Sequence, residues 1–299
     1  MAGSQRLYKQ RIRSTQTLQK VFKAMELIAS SRIGQARRNA QEASPYDHAL
    51  SRAVAALGSY ARLDHPITRP RTDTNRVAVL VVTSDRGMAG AYSATILRES
   101  EHLLNQLQDE GRQPVLFTFG RRAQSYFSFR GRDIEYSWTG ESDRPSDPTI
   151  NEVASLLLEY FLASESAGGV AEVHIVFTRY VSMVSQVPEV RRMLPLTVVD
   201  VDEVREQPQQ ALPLYELEPS PNEVLGALLA RYVTTRIRNA LLQSAASELA
   251  ARQQAMHTAT DNAEEIITTY TRLANAARQG DITQEITEIV SGADALGSG

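Results

Sequence analysis

From Pro221 to Val290 no proline interrupts the chain, and glycine occurs only at Gly226 and Gly280. Proline and glycine are the residues a helix interior tolerates least, so a clean stretch of roughly seventy residues favours one long helix. Within it Met256, Thr260, Ala263, Ile267, Tyr270, Ala274 and Ala277 recur at alternating steps of four and three. That is a heptad seam, narrower than the apolar stripe of an ordinary surface helix. At about 1.5 Å per residue such a helix would run on the order of 100 Å. A rod of that length is either a coiled-coil stalk or a shaft that something else surrounds.

A second stretch, residues 3–57, also reads as a long helix. Leu18, Val21, Met25 and Ile28 are spaced three, four and three, which predicts its seam, and Ala24, Ala29 and Ala36 would let another helix approach closely. Pro45 is expected to mark an irregularity or a restart, and Pro66 and Pro70 to end the segment. Two terminal helices with heptad-like seams can pair with each other. Antiparallel pairing suits a domain inserted between them.

The middle of the chain differs in kind. Arg76–Ser84 is a β-branched run suited to a strand buried on both faces. A glycine-containing turn follows, then a helical pattern over Tyr92–Gln108. Pro114–Phe119, Ile134–Trp138, Glu172–Thr178 and Leu196–Val201 are further strand candidates; Arg121–Phe129 and Ile150–Leu162 are helical, and Ser164–Gly169 and Glu206–Pro213 read as loops. Such alternation predicts a largely parallel, three-layer α/β domain. The organisation is therefore a shaft helix over 1–62, an α/β domain over 75–205 and a second shaft helix over 221–291.

Composition narrows the function. With 299 residues, a formal charge of −3 and a pI near 6.0, the chain as a whole does not suit nucleic acid. Residues 1–40 are nevertheless basic, with Arg6, Lys9, Arg11, Arg13, Lys20, Lys23, Arg32, Arg37 and Arg38 against Glu26 alone, whereas 198–223 is acidic. There is no cysteine, which excludes disulfides and zinc–thiolate sites. No apolar run approaches the roughly 18 residues of a membrane span, and residues 1–15 lack a signal-peptide core. The expectation is a cytoplasmic protein linked to a membrane only through partners.

Catalytic chemistry is not visible. The turn Thr83–Gly90 sits between a strand and a helix, where nucleotide folds bind phosphate, but its glycines follow neither G-x-G-x-x-G nor the P-loop pattern. A tight turn is the better reading. His48, His65, His102, His174 and His257 are scattered without metal-ligand spacing, and His174 is expected in a strand as a core or sheet-surface residue. No G-x-S-x-G signature occurs. The residues thus predict no catalytic, cofactor or metal site.

Six blocks carry a family resemblance. The C-terminal AARQGDITQEITEIVSGADAL from Ala276 closely resembles the terminal signature of the gamma subunit of F-type ATP synthases. SELAARQQAMHTATDNAEEII from Ser247, TLQKVFKAMELIASSRI from Thr17, TSDRGMAGAY from Thr83, SQVPEVRRMLPL from Ser185 and YELEPSPNEVL from Tyr215 are similar to further blocks of that family, in its order and over nearly the whole chain. The resemblance implies a long antiparallel coiled coil of the N- and C-terminal helices with an inserted Rossmann-like α/β domain. It also implies a central rotor shaft inside three alpha and three beta subunits, attached below to epsilon and to the membrane c-ring, at the cytoplasmic face of the plasma membrane. The chain itself would be non-catalytic, hold no cofactor and bind no nucleic acid.

The resemblance assigns residues too. Arg278 and Gln279 match the pair that hydrogen-bonds a loop on beta, and an Arg fork aimed at an acidic loop is a directional, charge-assisted latch. Arg252, Thr283 and Glu288 fall on positions linked to rotor–stator coupling. Met25, flanked by Lys23, takes the shaft position facing beta, and Tyr215 aligns with the foot that contacts epsilon and the c-ring. Gly280 stands where alanine is common in the family. Two rival readings are a structural coiled-coil adaptor, which would leave the terminal blocks unexplained, and a nucleotide-binding α/β enzyme, which would need a phosphate loop.

Overall fold

Two long helices bound the fold in the computed structural model, which describes residues 2–60, 66–196 and 221–297. Helix α1 spans Ala2–Tyr60 and helix α5 spans Pro221–Gly297. Helix α1 continues through Pro45, where an irregularity was expected; a proline removes one main-chain bond, and the turns on either side keep theirs. The chain divides into two compact units, Met1–Ala29 with Gln253–Gly299, and Ser30–Arg252.

In the first unit the C-terminal seam follows the predicted spacing. Met256, Ala263 and Ala274 are buried; Thr260, Ile267, Tyr270 and Ala277 are half-buried. The Tyr8 and Tyr270 rings lie 6.0 Å apart, and His257 Nδ1 is 3.1 Å from Glu26 Oε1. Numbers rise along α1 as their partners fall along α5, so the two helices run antiparallel. The seam of α1 is a correction. Leu18, Val21 and Ile28 are exposed and only Met25 is half-buried. The inward line is instead Tyr8, Ile12, Thr15, Gln19, Phe22, Glu26 and Ala29, again stepping by four and three. Apolar character does not mark the seam here because much of it faces away from α5, while polar Thr15, Gln19 and Glu26 face inward.

The second unit is built on a five-stranded sheet in the order β3-β2-β1-β4-β5. Its strands are β1 (Arg76–Val82), β2 (Gln113–Phe119), β3 (Tyr136–Trp138), β4 (Glu172–Tyr180) and β5 (Gln186–Leu194). The first four are parallel, with Val79 opposite Leu116 on one side and His174 on the other. Strand β1 is buried on both faces, as its unbroken β-branched run predicts. Helices α2 (Tyr92–Asp109) and α3 (Arg121–Phe129) cover one face, placing Ile96, Leu104 and Phe127 against Val77, Val79 and Val81. Helix α4 (Asp147–Leu162) and the Leu229–Leu241 stretch of α5 cover the other, against Ala78, Leu80 and Val82. This is the three-layer arrangement expected.

Two local details escaped the sequence. Helix α4 starts at Asp147 rather than Ile150 because Ser146 caps it, its Oγ accepting from Thr149 N–H at 3.4 Å, with Pro148 in the first turn. Strand β5 was not expected; it pairs antiparallel with β4 at the sheet edge, where Pro188 is tolerated. Residues 197–201 of the strand expected over Leu196–Val201 lie outside the described residues. Leu196 follows β5 without strand structure, its N–H bonded to the Ile67 carbonyl at 2.9 Å.

Candidate functional site

Tyr8 of α1 stands beside Tyr270 of α5, and α5 continues past this contact to Gly297. Burial changes there. From Ile282 to Ser291 every residue is exposed, including Ile282, Ile286, Ile289 and Val290, with Ile289 71% accessible. At about 100° per residue, these four apolar side chains share one face of the helix. Arg278 and Gln279, both exposed, stand at the two margins of that stripe. Thr283 lies beside Gln279 and is exposed, its hydroxyl bonded back to the Gln279 carbonyl at 2.9 Å; Glu288, also exposed, accepts from Gln284 Nε2 at 2.9 Å. These four predicted residues thus share one short length of helix with an uncovered apolar stripe. The stripe was missed, although its four-three spacing is readable in ITQEITEIV.

On α1, Lys23 is exposed and Met25 half-buried. Around them Val21, Leu27 and Ile28 form an outward apolar patch between basic residues. Tyr215 lies outside the described residues.

Arg252 is placed differently, in the second unit and 6% exposed. Its Nη2 donates to Glu248 Oε1 at 2.7 Å and to the Arg86 carbonyl at 3.2 Å. The Glu248 carboxylate is buried, and burial pushes its pKa up to about 7, the Arg252 charge acting in the opposite sense. Sequence reading passed over Glu248, although its spacing of four residues from Arg252 is a helical ion-pair signal.

The turn Thr83–Gly90 is tight, with Met88 (φ 62°) and Gly90 (φ 56°) left-handed. The Asp85 carboxylate accepts from the backbone N–H groups of Arg121, Gly140 and Ser142 at 2.8–3.0 Å. Burial would raise the Asp85 pKa, but these donors and the Ser142 hydroxyl outweigh it and hold the carboxyl below its ordinary range. The N–H at the start of α3 is spent on this internal anion. The crevice at the switch point between β1 and β4 is occupied as well. Tyr92 Oη donates to the Ser244 carbonyl at 3.3 Å, Thr178 N–H to Ser244 Oγ at 3.2 Å, and Ser247 Oγ to the Thr178 carbonyl at 3.2 Å. Among the described residues no group of three His, Asp or Glu converges as a metal site, and no helix is long and apolar enough to cross a membrane.

One unit is an antiparallel helical pair with an uncovered apolar tip, and the other is a Rossmann-like α/β domain. The ATP synthase family model matches residues 4–296. The ATP synthase gamma chain of Beutenbergia cavernae is 62% identical over 296 residues, covering 99% of each chain, and that of Arthrobacter sp. (strain FB24) is 51% identical with the same coverage. Among solved structures, the Euglena gracilis mitochondrial ATP synthase (OSCP/F1/c-ring, rotational state 3) shares the fold at a TM-score of 0.66 and 15% identity, over 99% of this chain and 95% of that one. A rotor structure from the same source, in rotational state 1, gives 0.63 at 17% identity, over 94% and 100%. The chain belongs to the ATP synthase gamma-chain family.

Proposed function

We infer that this chain is the central-stalk rotor subunit of an F-type ATP synthase, coupling proton-driven c-ring rotation to the conformational cycle of the catalytic beta subunits. The observation that carries this reading is the tip of α5, where Arg278 and Gln279 flank an exposed apolar stripe. An apolar stripe left uncovered in water calls for a surrounding partner. Residues 1–62 and 221–291 serve as the shaft and 75–205 as the inserted domain. Three alpha and three beta subunits surround the shaft, and epsilon and the c-ring hold its foot, where Tyr215 belongs. The chain has no catalytic site of its own, and it sits at the cytoplasmic face of the plasma membrane through its partners.

Coupling then works by differential contact. The shaft presents a different face to each beta subunit, so the open and closed states of the three sites are biased unequally. Arg278 and Gln279 latch onto an acidic loop of beta. Lys23, Met25, Thr283 and Glu288 add contacts on the turning surface, and Arg252 contributes to coupling from its buried position by fixing the seat of α5. Reconstitution with matching alpha and beta subunits tests the reading. The expected result is a stable complex with sustained cooperative ATPase activity only when this chain is present. Binding without any change in hydrolysis would favour a structural adaptor, and failure to assemble would overturn the rotor assignment.

A further inference from the structure

Where α5 leaves the sheet, its serines bond to the C-terminal end of β4 and to the start of α2. Ser244 and Ser247 exchange hydrogen bonds with Tyr92 and Thr178. One helical turn on, Glu248 and Arg252 form an ion pair whose side chains are 1% and 7% accessible. Glu248 Oε2 and Arg252 Nε have no hydrogen-bond partner among the described residues. A buried ion pair with unsatisfied atoms is weak evidence for stability, because apolar residues of similar volume commonly do as well or better there. What the pair does supply is a tie: Arg252 spans from Glu248 on α5 to the Arg86 carbonyl in the turn after β1.

We propose that Glu248 is a positioning residue in a proton-linked clamp: its ionised carboxylate holds Arg252 against the Arg86 carbonyl and so seats α5 on the turn Thr83–Gly90, and uptake of one solvent proton on Glu248 releases that seat. Protonation removes the counter-charge of a buried guanidinium, and a guanidinium without a partner moves toward water. The groups facing Glu248 fix the sense of the response. On α5 Arg252 favours the charged form. The loop before α4 brings Ser142, which also favours it, and Asp143, which opposes it and is itself paired to Arg32 of α1 at 2.7 Å. From α2 comes Tyr92, fully buried, whose own ionisation is strongly suppressed by burial and by the Glu248 charge. Asp85 in the turn is held ionised by its backbone donors. Burial dominates this set and places the Glu248 transition at about 7. The clamp lies wholly within Ser30–Arg252 and does not depend on the rotor reading.

Hydrogen exchange of the full chain between pH 6 and pH 8, corrected for intrinsic rates, tests the clamp. In the unsubstituted chain, amides of Thr83–Gly90 should exchange several-fold faster at the acid end, with a midpoint near the Glu248 transition. Glu248→Gln should remove the step and leave the turn fast throughout. If that variant does not fold, Glu248→Gln with Arg252→Met lacks both buried charges and should be pH-independent. Asp143→Asn removes a repelling charge and should move the midpoint to lower pH. Protection that is flat with pH in the unsubstituted chain, a step that survives the loss of Glu248, or a midpoint unmoved or raised by Asp143→Asn would each overturn the proposal.

Discussion

The proposed latch residue, Arg278, illustrates a limit on what any one side chain can do. A charge-assisted hydrogen bond contributes about 1.5–3 kcal/mol net, whereas driving a two-state site from 1:99 to 99:1 takes about 5.5 kcal/mol. On the proposed reading Arg278 therefore shares the work with Gln279, Thr283 and the apolar stripe, and Arg278→Ala should slow rather than abolish turnover. We expect roughly a tenfold fall in ATPase of the assembled complex, with assembly on a sizing column unchanged. Unaltered turnover and torque would return Arg278 to an ordinary exposed charge. Glu248 gives a second residue-scale prediction. Its folded pKa is raised, from 4.5 to about 7, so the folded chain binds the proton more tightly than the unfolded chain. The associated stability is full below 4.5 and is lost as pH rises through 7, by a total on the order of 3 kcal/mol. Urea midpoints measured from pH 5 to pH 8 should fall through this group, and Glu248→Gln with Arg252→Met should flatten that component.

At the scale of elements, two glycines should respond to alanine with opposite sign. Gly120 caps α3 at φ 101°, and a Cβ there would stand 2.2 Å from the Thr83 carbonyl oxygen. Backbone strain and a main-chain clash cannot both be relieved, so Gly120→Ala should lose at least about 2 kcal/mol in chemical denaturation. Gly280 is helical with nothing within 4 Å of its added Cβ, and Gly280→Ala should gain about 0.5–1 kcal/mol from helix propensity. A destabilised Gly280→Ala chain would mean that α5 needs local flexibility beside Arg278. Elements were legible in the sequence wherever one physical demand governed a segment. Burial on both faces alone shapes β1, and packing against one partner alone shapes the Met256–Ala277 seam. Legibility failed where two demands overlapped. Leu18, Val21 and Ile28 are apolar yet face outward, so hydrophobic spacing pointed to the wrong side of α1. Strand β5 is half-exposed and carries Pro188, which obscured it. The exposed tip of α5 carries a motif readable in the sequence, but the Glu248–Arg252–Arg86 contact joins positions far apart in the chain and needed the fold.

For the whole molecule, a nucleotide-type sheet whose switch-point crevice is filled by the chain's own residues bears directly on nucleotide binding. A doubly wound sheet binds ligands outside the carboxyl ends of its strands, at the switch point, with an anion at the N-terminus of a helix. Here Ser244 and Ser247 of α5 take the main-chain groups of Thr178 in that crevice. Asp85 takes the anion place at the start of the neighbouring helix α3, bonded to its first N–H and to the N–H groups of Gly140 and Ser142. A phosphate at the start of α3 would have to displace a half-buried carboxylate from three donors, and one in the crevice would have to displace a helix from its seat. Each lost, unreplaced bond to a charged group costs about 1.5–3 kcal/mol, enough together to forfeit the affinity of a micromolar site. The crevice thus holds part of α5, which on the proposed reading makes the domain a mount for that helix. The full chain alone is expected to bind no ATP stoichiometrically in equilibrium dialysis with labelled nucleotide, and to hydrolyse none, while the same nucleotide turns over once alpha and beta subunits surround it. A tight one-to-one site on the isolated chain would mean that α5 leaves the crevice readily, and the mount would have to be reconsidered as an enzyme.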